Sequence, residues 1–73
     1  MYTGTVVWFK SERGFGFIRR DNDGTEFFAH FNYILMDGYK KLDAGDMVEF
    51  TVAPGPKGKM QAENIRVLQK AVA

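Results

Sequence analysis

The chain has 73 residues, a formal net charge of +1 and no cysteine. That length fits one domain, residues 1–73, and leaves no room for a second, while the missing cysteines exclude disulfides and thiolate metal sites. No apolar run approaches the roughly 18 residues of a membrane span, and the N-terminus lacks the charged start and apolar stretch of a secretory leader, so a cytoplasmic protein without membrane contact is expected.

Residues 3–10 are β-branched and aromatic, with Val6, Val7, Trp8 and Phe9, and predict a first strand. Ser11 to Gly14 make a short loop before a second strand over 15–20. Asp21-Asn22-Asp23-Gly24 is a strong turn signal, and a third strand follows over 25–30. Residues 31–34 fit a single helical turn and 35–45 a longer loop. Over 46–52, Val48, Phe50 and Val52 alternate with Glu49 and Thr51, the period of a strand with one buried face. The Pro/Gly-rich stretch 53–59 predicts no regular structure, 60–68 a fifth strand, and 69–73 a frayed tail. Five short strands without an amphipathic helix predict an all-β fold, a small antiparallel barrel with its core over about 3–68.

The second strand holds the first functional clue. In RGFGFI, residues 13–18, Phe15 and Phe17 share one face while Gly16 and Ile18 share the other. The fourth and fifth strands bury aliphatics, so Val6, Ile18, Ala29, Val48, Val52, Ile65 and Val67, with Phe50 and Phe27, make the expected core. Phe15 and Phe17 then point outward. By the same parity Phe28 and His30 face out beside them, across the hairpin at Asp21 to Gly24. Trp8 joins them only if a bulge separates it from inward Val6. The opposite assignment would bury the rings and expose Ile18.

Nine of the eleven aromatics fall between positions 8 and 39. An exposed cluster of rings amounts to several hundred Å² of apolar surface, which soluble monomers rarely carry without a use. Three uses fit: stacking unpaired nucleic-acid bases, docking a partner as a small β-barrel interaction module, or hiding the patch in a homodimer. The flanking cations Lys10, Arg13 and Arg20 favour nucleic acid, because rings for bases and cations for phosphates are the recipe for single-strand binding.

RGFGFI together with FFAHF, residues 27–31, resembles the paired RNA-binding motifs of the cold-shock domain. TVVWFKSERGFGFI, DGYKKLDAGDMVEF and GKMQAENI resemble successive segments of bacterial cold-shock proteins, in the same order. The resemblance implies a five-stranded OB-fold barrel binding single-stranded RNA and DNA with low sequence specificity, acting as an RNA chaperone or transcription antiterminator of the cold-shock type. It implies a stacking set of Trp8, Phe15, Phe17, Phe28, His30, Phe31 and Tyr39, with Phe9 at the edge. It implies polar or phosphate contacts from Lys10, Arg13 and Lys57. The chain departs from the family where Thr5 and Val7 stand in place of lysines, which thins the basic side. A monomer is expected, with a dimer as the alternative.

His30, the lone histidine, has no cysteine or carboxylate cluster beside it and makes a poor metal site. Nothing in the pattern activates Ser11 as a nucleophile. No enzymatic activity, cofactor or metal is expected.

Overall fold

The computed structural model describes residues 1–38 and 40–71, apart from the side chain of Lys57. Five strands form where β-branched and aromatic residues concentrate: β1 Tyr2–Lys10, β2 Phe15–Arg20, β3 Glu26–His30, β4 Met47–Pro54 and β5 Met60–Gln69. They close into a barrel in the order β1-β2-β3-β5-β4. Every pairing is antiparallel except the closing one, β3 with β5, which is parallel and short. A parallel pairing has no hairpin to announce it, so the strand pattern alone gave no sign of it.

The inward faces match the alternation in the sequence. Val6, Ile18, Phe27, Ala29, Val48, Phe50 and Ile65 are buried, while Val52 and Val67 pack at the core's margin. The core also takes Ile34, Leu42 and Ala62. Ile34 follows a 3₁₀ turn at Phe31–Tyr33 and bridges to Ile65. The loop after the third strand thus plugs one end of the barrel, a role that strand periodicity cannot reveal. Phe9, expected at the edge of the ring cluster, instead packs against the core. Opposite it, a Cβ on Gly16 would collide with the Trp8 carbonyl and the Phe9 backbone, so β1 and β2 approach closely only because residue 16 has no side chain.

Two connections are more ordered than the sequence suggests. β4 runs on to Pro54, and Pro56–Gly58 form a 3₁₀ turn inside the stretch expected to lack regular structure. At the C-terminus, Gln69 still belongs to β5, and Lys70 and Ala71 are bonded rather than frayed. Their anchor is Asp46, which is fully buried. One Asp46 oxygen accepts from the Ala71 N–H at 2.7 Å, and the other from Lys70 Nζ at 3.0 Å and the Asp43 N–H at 3.1 Å. The Asp46 carbonyl in turn accepts the Val6 N–H at 2.9 Å, tying the C-terminal segment to β1.

Candidate nucleic-acid interface

The register of the first three strands arranges their outward residues in rows. Thr5, Arg19 and Glu26 form one row, Trp8, Phe17 and Phe28 the next, and Lys10, Phe15 and His30 the third. Trp8 reaches this face because β1 shifts register between Val6 and Trp8, the bulge that its parity requires. Beyond the third row the 3₁₀ turn adds Phe31, held by its N–H donating to the Gly14 carbonyl at 2.8 Å. Gly14 has a φ of +80°, and a Cβ there would run into the Phe31 ring, so both its backbone and the ring require glycine.

The rings are contiguous. Trp8 lies 5.4 Å from Phe17 and 5.8 Å from Phe15, centroid to centroid. Phe28 lies 5.7 Å from Phe15, nearly parallel to it, and 5.9 Å from Phe17, edge to face. His30 continues the run at 6.3 Å from Phe28 and 4.7 Å from Phe31. These separations are those of favourable aromatic pairs, so each ring is held by its neighbours while a face stays open. All are half-buried except Phe31, which is 40% exposed. His30 Nδ1 accepts the Asn32 N–H at 3.3 Å, which places the proton of the neutral ring on Nε2. The structure thus assembles Trp8, Phe15, Phe17, Phe28, His30 and Phe31 on one surface. Tyr39 and the Lys57 side chain lie outside the described residues.

The cations divide. Lys10 is exposed at the end of β1 beside Phe15, and Arg13 is exposed in the following turn. Arg13 and Lys40 line a surface cleft of 460 Å³ with Glu12 and Phe31. Arg20, expected beside them, is not on this face. It has the parity of Ile18, and its guanidinium sits 4.6 Å from the Tyr2 ring centroid and 5.0 Å from that of Phe27. It pairs with Asp23 at 2.6 Å. The hydrogen bond to Asp23 raises the Arg20 pKa. The Arg20 guanidinium and then the Thr25 N–H hold the Asp23 carboxyl well below the usual carboxylate range. Arg20 is therefore a structural cation. The strand arginine on the ring face is Arg19, which shares the parity of Phe15 and Phe17. Among the described residues no three His, Asp or Glu side chains gather to hold a metal, and no helix is long and apolar enough to cross a membrane.

The model of the 'Cold-shock' DNA-binding domain matches residues 2–68. The chain belongs to the cold-shock domain family. It is 52% identical over 66 residues to the cold shock-like protein CspA of Stigmatella aurantiaca, covering 90% of this chain and 96% of that one. It is 52% identical over 58 residues to the cold shock-like protein CspD of Escherichia coli, covering 80% and 78%. Among solved structures, drosophila Unr CSD456 is similar with a TM-score of 0.73 and 34% identity, over 92% of this chain and 26% of that one. The ring surface of this cold-shock domain is thus the outer face of a nucleic-acid-binding barrel.

Proposed function

We propose that this cold-shock domain binds single-stranded RNA and DNA, as a monomer, by laying unpaired bases on the face formed by Trp8, Phe15, Phe17, Phe28, His30 and Phe31. The contiguous run of half-open rings across three strands carries this reading. Every base has a π-face, so stacking contributes about 1–3 kcal/mol per base with little regard to sequence. Lys10 and Arg13 flank the rings at the side where a backbone would pass, with Lys57 and Tyr39 proposed to complete the set.

The consequence is chaperone activity without ATP. A protein that binds the open strand and not the duplex shifts the equilibrium toward the open strand by mass action. The same shift in a nascent transcript would melt a terminator hairpin, which is antitermination. Trp8, the chain's single tryptophan, reports on the face directly. Titration with a short single-stranded pyrimidine oligonucleotide is expected to quench its fluorescence, and the matching duplex is expected to leave it unchanged. No response to the single strand at micromolar concentrations overturns the proposal.

A further inference from the structure

The row beyond Phe17 and Phe28 is charged rather than aromatic. Arg19 and Glu26 stand opposite each other on β2 and β3, their side chains paired at 3.3 Å and 56% and 46% exposed. Glu26 also lines, with Phe17 and Phe28, a surface cleft of 790 Å³ whose far wall is Pro56, Lys59 and Met60. Two residues along a strand span about 7 Å, so a base stacked on Phe17 or Phe28 brings its edge within reach of the pair.

The pair uses one oxygen of Glu26, Oε2, and one nitrogen of Arg19, Nη2. A carboxylate accepts at several lone pairs and a guanidinium carries several N–H donors, so both groups keep capacity. Side by side they present two acceptors and then a donor. That is the order along the Watson–Crick edge of cytosine, and the base complementary to it is guanine. Guanine N1–H and N2–H donate to the carboxylate while O6 accepts from the guanidinium. Adenine and cytosine each offer the carboxylate one amino group beside a ring-nitrogen acceptor, and uracil and thymine one N–H between two carbonyls. We propose that Arg19 and Glu26 make this end of the ring face a guanine-selecting pocket. The proposal rests on the single-strand reading above and adds a base preference to it. Bidentate contacts of this kind carry most of the discrimination between bases.

The test compares hexathymidylate with hexamers carrying one guanine at each position in turn, taking affinities from the midpoints of Trp8 fluorescence titrations. At one position guanine is expected to bind roughly fivefold tighter, the low end for a bidentate contact because the pair is exposed. The guanine-to-thymine ratio is expected to fall to near one in Glu26→Gln and to be partly kept in Glu26→Asp and Arg19→Lys. Equal affinities at every position, or a ratio unchanged in Glu26→Gln, overturn the pocket while hexathymidylate binding leaves the single-strand reading standing. Failure of every hexamer to bind overturns both.

Discussion

The outer surface of β2 and β3 differs from that of β4 and β5, although both belong to one barrel. On β4 and β5 the outward polar groups satisfy one another, while Met47, Met60 and Leu68 stand exposed. Glu49 pairs with Arg66 at 3.6 Å, and the Thr51 hydroxyl accepts from Asn64 Nδ2 at 2.9 Å while donating to the Glu63 carbonyl at 3.3 Å. On β2 and β3, beyond the Arg19–Glu26 pair, the outward groups are rings packed against one another and half-buried. Fully burying a Phe side chain stabilises by about 1.5–3 kcal/mol, and a half-buried ring leaves part of that unrealised. That remainder is available to a stacked base. The proposed function is therefore localised where the outer face leaves contiguous rings uncovered. The inner face, lined by Ile18, Phe27 and Ala29 here and by Val48, Phe50 and Ile65 there, is alike in both regions.

Substitutions on the two faces should separate these roles. Phe50→Ala, at the fully buried centre of β4, is expected to cost about 3–5 kcal/mol. That is a large share of a small domain's total, so urea denaturation should find the variant largely unfolded. Phe15→Ala combined with Phe17→Ala removes two rings from the outer face. Affinity for single strands is expected to fall by tenfold or more, at about 1–3 kcal/mol per lost stack, with a cooperative urea transition retained. A double variant that unfolds as Phe50→Ala does would show the rings to be core, and the contrast between the faces would be lost.

Much of this contrast was legible from period-two alternation. RGFGFI and the hairpin at Asp21 to Gly24 placed four ring positions, and the parity conflict between Val6 and Trp8 required the observed bulge. What stayed hidden depends on contacts distant in sequence. Ile34 and Leu42 plug the barrel from an irregular segment that carries no period to read. Arg20 looked like a phosphate ligand because it follows the rings in sequence, yet its parity turns it toward Tyr2 and Phe27. Arg19, outside the expected contact set, has the parity that places it on the ring face. The bonded C-terminal segment could not be foreseen either, since its partner Asp46 lies more than 20 residues away.

That segment also makes the barrel sensitive to acid. Burial works against the Asp46 charge, but the Ala71 and Asp43 N–H groups and the Lys70 ammonium outweigh it and lower its pKa. A carboxyl lowered on folding stabilises above its unfolded pKa, and the contribution is lost as pH falls through the folded value. The Lys70 pKa is raised by Asp43 and then Asp46, so its contribution holds until pH rises through that raised value. The urea midpoint should therefore decline between about pH 5 and pH 2. Asp46→Asn is expected to cost about 1.5–3 kcal/mol at neutral pH and to flatten the decline. Asp23, also lowered, contributes to the slope that remains, and Asp46→Asn with Asp23→Asn should flatten the decline further. An Asp46→Asn profile parallel to that of the parent would show that the buried carboxylate does not anchor the tail.

The smallest expected effect distinguishes two arginines of equal charge. Three phosphate contacts, from Lys10, Arg13 and Lys57, predict a slope of log K against log salt of about −2 for a single strand. Arg13→Ala should make that slope shallower by about 0.7 and leave the urea midpoint in place. Arg20→Ala should do the reverse, lowering the midpoint through loss of its Asp23 pair and its stack on Tyr2 and Phe27 while leaving the slope unchanged. A parent slope near −5 would mean that more cations meet the phosphates than the ring face supplies. A shallower slope in Arg20→Ala would mean that the Asp23 pair opens when the strand binds. Charge alone does not decide which role an arginine takes here. Position does: parity turns Arg20 toward a carboxylate and two rings of its own barrel, whereas Arg13 stands exposed in the turn between β1 and β2.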